Sequence, residues 1–138
     1  GERFLRGVVV GYEVSTRIGD AVMPSHYRFW HTTGTVGTFG AAAAVAMLLG
    51  CNREQFVHAL GNAGTFAAGL QQAFRSQAMS KPLHGGHAAE AGALAALAAA
   101  RGVTGGAHLL GGEGGFGAFL GAMHLAAILM KHGSQLKA

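Results

Sequence analysis

The chain has 138 residues, of which 50% are apolar and 12% are charged. This composition excludes a disordered chain and suffices for one domain with a single core. The formal net charge of +4 comes from basic residues that are spread along the sequence. They do not alternate with aromatic residues as they do in nucleic-acid-binding surfaces, so we expect no nucleic acid partner.

The cysteine content and the apolar runs indicate the cellular compartment of the protein and whether it contacts a membrane. The single cysteine, Cys51, excludes an internal disulfide and is typical of a reducing compartment, so we expect a cytoplasmic protein. The longest run of apolar and small residues, 39–50, is shorter than the ~18 residues of a membrane span, so we expect no membrane partner. Glycine accounts for 24 residues, well above the usual ~7%, which indicates helices that pack backbone to backbone.

The first half of the chain predicts three helices. Apolar positions over 3–19 fit a helical period, although three adjacent valines would also suit a strand. A second helix is predicted over Thr33–Leu49, ended by Gly50 in a left-handed conformation. Asn52 and Gln55 form a capping-box pattern that starts a third helix, Arg53–Leu70.

The second half begins with a polar loop over 75–82, where Pro82 can start the next helix. That helix is predicted to run to Arg101 and to stop at Gly102. A short helix follows, Thr104–Leu110, then a glycine-rich connector and a last helix over 118–132. The sequence therefore predicts an all-α fold, a compact bundle of five or six Gly/Ala-rich helices in one domain, 1–138.

Two motifs suggest ligand chemistry but fit a structural role better. Residues 112–117 spell G-x-G-x-x-G, yet no strand precedes them, so we interpret them as a connector and expect no cofactor. His84, His87 and Glu90 have metal-ligating side chains, but their spacing spreads them around a helix. We therefore expect no metal site, and capping or surface histidines instead.

His31 and Lys81 are the stronger candidates for catalysis. His31 lies at a loop-to-helix junction, directly before Thr32 and Thr33. Free N–H groups at such a helix start, together with two hydroxyls, can bind a carboxylate, and an imidazole beside them can transfer a proton near neutral pH. Lys81 precedes a second helix start, where it can bind a carboxylate as a point charge.

Several segments in the same order resemble the MmgE/PrpD family: GYEVSTRIG, PSHYRFWHTTGTVGTFGAAAA, ALGNAGTFAAGL and SKPLHGGHAAEAG. That family includes 2-methylcitrate dehydratase, cis-aconitate decarboxylase and iminodisuccinate epimerase. The resemblance implies a helical domain and chemistry on small di- or tricarboxylates, without metal or organic cofactor. It also implies that His31 and Lys81 line the active site, His31 as an acid/base or substrate-polarising group and Lys81 as a carboxylate anchor. From its place at the helix start, we expect Thr33 to bind substrate as well.

The resemblance further implies that the chain is a piece of a longer enzyme. An upstream segment and a second, lid-like domain have no counterpart in it, so we expect the isolated chain to have little or no activity. A 2-methylcitrate dehydratase-like hydro-lyase is the first expectation, and epimerase- or decarboxylase-like activity is the alternative. A non-catalytic, self-associating helical module is the competing interpretation, and a homodimer or higher homo-oligomer is expected in either case.

Overall fold

The computed structural model describes residues 1–119. Four long α-helices make up most of this part, and a short helix begins at its end: α1 Glu2–Val22, α2 Thr32–Leu49, α3 Arg53–Phe66, α4 Lys81–Ala100 and α5 Phe116–Phe119. Two 3₁₀ turns, His26–Arg28 and Gln71–Phe74, lie between helices. The described residues contain no strand, only an isolated bridge between Trp30 and Leu70. The all-α prediction is confirmed for them.

Residues 1–119 contain four long helices, so the predicted count of five or six is not matched exactly there, and one predicted short helix does not form. Turns replace the helix that was predicted over Thr104–Leu110. The backbone there lies directly on α3, and a Cβ atom at Gly105 would be 2.5 Å from the carbonyl oxygen of His58. Gly105 also contacts His58 Nδ1 through its own backbone. The last predicted helix, 118–132, lies almost entirely outside the described residues.

Helix α3 ends four residues earlier than predicted, at Phe66. The next residues are extended because they pair with the segment that precedes α2. Leu70 bridges to Trp30, and the carbonyl oxygen of Gly69 accepts a hydrogen bond from the backbone N–H of His31 (2.9 Å). Tertiary pairing here overrides helical propensity.

The local start and stop signals behave as predicted. Gly50 ends α2 in the left-handed region, at φ 73°. The capping box forms, with the backbone N–H of Gln55 donating to Asn52 Oδ1 (2.9 Å) and the backbone N–H of Asn52 donating to Gln55 Oε1 (3.0 Å). The Gln55 side-chain amide also donates to the carbonyl oxygen of Ala100 (3.2 Å), which ties the start of α3 to the end of α4.

Helix α1 packs antiparallel on α2 through glycine residues. Its three adjacent valines lie in this helix, so the alternative prediction of a strand is wrong. A Cβ atom on Gly11 would lie 2.9 Å from the carbonyl oxygen of Gly40. Gly40 is equally restricted, because a Cβ atom there would overlap the Ser15 hydroxyl. The other face of α1 carries exposed apolar side chains, namely Phe4, Leu5, Val8, Val9 and Tyr12.

Helices α2 and α4 pack side by side and run in the same direction. The backbone of Gly34 lies against His84, that of Gly37 against Ala88, and that of Gly92 against the next turn of α2. The contact at Gly92 is the closest of the three, since a Cβ atom there would lie 2.5 Å from the carbonyl oxygen of Thr38. Parallel packing therefore brings the N-termini of α2 and α4 to the same end of the bundle.

The glycine repeat at the start of α2 does not serve one purpose throughout. Gly34 and Gly40 permit close backbone approach, as the sequence predicts. Gly37 does not, because an added Cβ atom would lie 3.6 Å from Ala88 Cβ, which is an ordinary contact. The backbone-to-backbone packing that the glycine content predicts is thus found at Gly34 and Gly40, whereas Gly37 makes an ordinary packing contact with α4.

Helix α2 is longer and more apolar than the 39–50 run suggests. Among the described helices, it alone has the length and composition of a membrane span, and half of it is buried inside the bundle. The central helix of a folded core has the same composition, so this helix is weak evidence for a membrane.

One buried histidine anchors the start of α2 to the preceding 3₁₀ turn. His26 is 1% exposed, and its Nε2 atom lies 2.6 Å from the Thr35 hydroxyl oxygen. That hydroxyl donates to the carbonyl oxygen of His31 (3.2 Å). Burial lowers the pKa of His26 from 6.5 to about 4, so the ring is neutral near pH 7.

Gly92→Ala is expected to destabilise the chain by about 1–3 kcal/mol, because the added methyl group forces α4 away from the backbone of α2. Gly86 is the matched control on the same helix, since nothing lies within 4 Å of a Cβ atom there. Gly86→Ala should stabilise by up to about 1 kcal/mol through helix propensity. Urea unfolding followed by circular dichroism measures both changes, and wild-type stability in Gly92→Ala would contradict this packing.

Protonation of His26 should make the chain less stable as the pH falls. The unfolded chain binds this proton with a pKa near 6.5 and the folded chain only near 4. The free energy of unfolding is therefore greatest above about pH 6.5, and up to about 3 kcal/mol is lost as the pH falls through the folded pKa. His26→Gln should flatten this pH dependence, whereas His108→Gln, at an exposed position, should leave it unchanged.

Candidate functional site

The N-termini of α2 and α4 form one site at one end of the bundle. His31 is the N-cap residue of α2, and Lys81 is the first residue of α4. Neither helix has an acidic residue in its first turn. Each N-terminus carries a partial positive charge from the helix dipole and from unpaired N–H groups. The two positive helix N-termini and the absence of acidic residues from their first turns together favour the binding of an anion at this site.

The backbone holds His31 in place, and its ring takes no part in capping α2. Its N–H donates to Gly69, and its carbonyl oxygen accepts from the N–H groups of Gly34 (3.0 Å) and Thr35 (3.1 Å). Its side chain makes no capping bond to α2. The ring is 8% exposed and lies edge-on to Phe74, with 4.5 Å between the ring centroids. His31 is thus a fixed imidazole directed toward α4.

His84 is the partner that the sequence prediction missed. Its Nδ1 atom lies 3.0 Å from Nδ1 of His31. His84 follows Lys81 by three residues on α4, so the two side chains lie on the same face of the helix. The three-residue spacing between Lys81 and His84 is the feature of the sequence that could have identified His84. The sequence analysis instead considered His84 together with His87 and Glu90, as a possible metal site.

The structure separates the members of that predicted metal pattern. His87 Nε2 lies 3.2 Å from the carbonyl oxygen of Phe66, whereas His84 contacts His31. Within residues 1–119, no three His, Cys, Asp or Glu side chains come together as a metal site would require. The two histidines thus have separate environments.

Lys81 belongs to α4 rather than to the polar loop in which it was predicted. Ser80 is the N-cap residue, and Pro82 follows in the first turn, where a missing N–H has no cost. The exposed Lys81 ammonium lies 4.4 Å from the centroid of the Phe74 ring. Because Phe74 also contacts His31, one aromatic ring connects the two predicted catalytic side chains.

Burial and the neighbouring charges together keep His31 neutral. Burial lowers its pKa below the usual 6.5, and the positive charges of His84 and Lys81 lower it further. Near pH 7 the His31 ring is therefore in the form that accepts a proton. A bound anion has the opposite effect on the pKa, since it stabilises the imidazolium.

Thr33, the predicted substrate-binding residue, is exposed in the first turn of α2. Its Cγ2 atom would be 3.8 Å from a Cβ atom on Gly85 of α4. Thr33 thus lies at the junction of the two helix starts, where its hydroxyl is accessible. Its role in substrate binding stays a prediction.

A cavity of about 260 Å³ lies elsewhere, between His26, Trp30, Thr65, Leu109 and Phe116. None of the three predicted site residues lines it. His26 Nδ1 is buried and finds no hydrogen-bond partner within residues 1–119. The lining is mainly apolar, which does not suit a carboxylate.

Comparison with known proteins identifies relatives. A cis-aconitate decarboxylase-like protein of Aspergillus oryzae is 36% identical over 107 residues, which are 76% of this chain and 22% of the relative. Cis-aconitate decarboxylase of Homo sapiens is 38% identical over 101 residues, 70% of this chain and 19% of the relative. The Mus musculus decarboxylase is 36% identical over 94 residues, 65% of this chain and 18% of the relative. The chain thus spans about a fifth of the length of these relatives.

The family profile described as the MmgE/PrpD N-terminal domain matches residues 1–126. This match covers all four long helices and the His31, Lys81 and His84 positions. It agrees with the order of the motifs in the sequence and with the helical fold. The chain belongs to the MmgE/PrpD family and matches its N-terminal domain.

Proposed function

We propose that this chain carries the helical, proton-transferring part of an enzyme that acts on small di- or tricarboxylates. The convergence of two acid-free helix starts at the His31–Lys81 cluster supports the proposal most directly. Helix N-termini and a lysine bind carboxylates, and an imidazole moves protons beside them. Activity of a whole enzyme is part of this proposal, because the relatives are about five times longer than the matched region.

Cis-aconitate decarboxylation is the reaction that we place first. The relatives named above are cis-aconitate decarboxylases or are described as similar to one. This order reverses the sequence-based preference for a 2-methylcitrate dehydratase, which stays a prediction. Both reactions use a tricarboxylate with a reacting carbon next to a carboxylate, so the same binding groups serve either.

The proposed proton chemistry is assigned to His31. Decarboxylation breaks one C–C bond, releases CO₂ and leaves the electron pair on the remaining carbon skeleton. One proton must then be delivered to that skeleton. His31 takes up a proton when the anionic substrate binds beside it, and the imidazolium gives that proton to the carbanion. Lys81 holds a carboxylate that does not react.

His31→Ala is expected to weaken binding of cis-aconitate by roughly 10- to 100-fold, the value of a hydrogen bond to a charged group. Lys81→Gln should weaken it by roughly two- to fivefold, because the ammonium is exposed and screened by solvent. Arg101→Gln is the matched control, since Arg101 lies at the opposite end of α4. Isothermal titration calorimetry with the 138-residue chain measures all four affinities.

The trimethyl ester of cis-aconitate tests whether charge drives binding, and it should bind much more weakly than the acid. Titration with 2-methylcitrate compares the two substrate candidates directly. Equal affinities of wild type and His31→Ala would contradict the site assignment. Absence of carboxylate binding to the wild-type chain would contradict the proposed function.

Binding of cis-aconitate should also take up protons. The pKa of His31 is depressed in the free chain and rises when an anion lies beside the ring. Affinity should therefore increase as the pH is lowered from about 8 to below the usual histidine pKa of about 6.5. Calorimetry in buffers of different ionisation enthalpy measures the proton uptake, which should be smaller in His31→Gln. An uptake that is the same in both proteins would contradict this role of His31.

A further inference from the structure

The contact between His31 and His84 is an unusual one for two bases. Their Nδ1 atoms are 3.0 Å apart, within the normal distance for a hydrogen bond. Two bare nitrogens would repel through their lone pairs, and two N–H groups would repel through their protons. The contact is attractive only when one Nδ1 atom carries a proton and the other does not.

The surrounding backbone keeps the two rings in this contact. The backbone of Gly69 passes His84 so closely that an added Cβ atom would lie 3.2 Å from its Nδ1 atom, and Gly69 has φ 125°, a value that favours glycine. Gly34 is similarly close on α2, with an added Cβ atom 3.3 Å from His84 Cβ. A side chain at Gly69 would press on the imidazole of His84, and one at Gly34 would meet the carbonyl oxygen of Ala68 and His84 Cβ.

We propose that His84 is a positioning residue that shares one proton with His31 through their Nδ1 atoms, and thereby sets whether Nε2 of His31 donates or accepts. When the shared proton is on His84, a neutral His31 carries its own proton on Nε2 and donates there. When the Nδ1 proton is instead on His31, its Nε2 proton has left to solvent and His84 has taken one up from solvent on its own Nε2, so the pair stays neutral and Nε2 of His31 accepts. The role of this proton exchange in catalysis rests on the proposed function.

The same contact limits the charge of the pair. A neutral pair holds two ring protons and a singly charged pair holds three. A doubly charged pair would place N–H against N–H at 3.0 Å, so it must break the contact. Lys81 is the other positive group that acts on His31, and Phe74, the remaining ring against it, does not titrate. The presence of a proton on one Nδ1 atom therefore excludes one on the other while the contact lasts.

The tautomers of the wild-type chain test proton sharing directly. Long-range ¹H–¹⁵N spectra of the 138-residue chain, labelled with ¹⁵N-histidine, distinguish protonated from bare Nδ1 in each ring. Single His→Gln variants at positions 31 and 84 assign the signals. Above the titration range, one of the two rings should carry its proton on Nδ1 and the other on Nε2. Two rings that both carry it on Nε2 would overturn the proposal.

A pH titration of the same signals tests the coupling. In the wild-type chain the pair should take up only one proton while the contact lasts. In His84→Gln, the amide still gives His31 a hydrogen-bonding partner but no charge, so His31 should titrate in a single step with a higher midpoint. His87→Gln is the matched control on α4 and should not move the midpoint. An unchanged His31 titration in His84→Gln would also overturn the proposal.

These measurements use no carboxylate, so their outcome is separate from that of the proposed function. If the wild-type chain fails to bind cis-aconitate but one ring is protonated on Nδ1, the proposal of proton sharing stands and the proposed function is contradicted. If the chain binds cis-aconitate through His31 but both rings carry their protons on Nε2, the proposed function stands and the proposed role of His84 is contradicted.

Discussion

The backbone contact between α4 and α2 at Gly92 determines where the site lies. Because no side chain separates Gly92 from Thr38, the two helices lie at nearly the closest distance that their backbones permit. The contact of the Gly92 backbone with Thr38 and Ala42 also restricts how α4 can be placed along α2. Two turns nearer to the N-terminus of α4, that register places the His84 ring beside His31. The geometry of the imidazole pair is thus a consequence of helix packing in the core.

The site has a simple electrostatic design. Two helix starts, a lysine and two imidazoles provide positive or proton-donating groups, and the first turns of both helices contain no carboxylate. An anion would supply the missing negative charge, and its arrival alters the proton affinity of the imidazoles. Phe74 contributes one apolar ring that contacts both the buried His31 ring and the exposed Lys81 ammonium.

The sequence predicts features that depend on neighbouring residues and misses those that depend on distant ones. Gly50, the Asn52–Gln55 capping box and Pro82 are local signals, and each has its predicted place. The helix predicted from Thr104 fails because the glycine backbone after it packs on α3. The family resemblance identified His31 and Lys81, but periodicity could not pair His31 with His84, because only the tertiary register of α2 and α4 unites them.

The parallel arrangement of α2 and α4 has a kinetic consequence. Adjacent antiparallel helices such as α1 and α2 can meet as soon as a short connection forms between them. Parallel neighbours cannot, because the chain must first return along α3, and the two site histidines are 53 residues apart. Closing a segment of that length has an entropic cost before any contact compensates for it. The imidazole pair therefore has a larger loop-closure cost than the contacts between α1 and α2, so we expect it to form after those two helices have met.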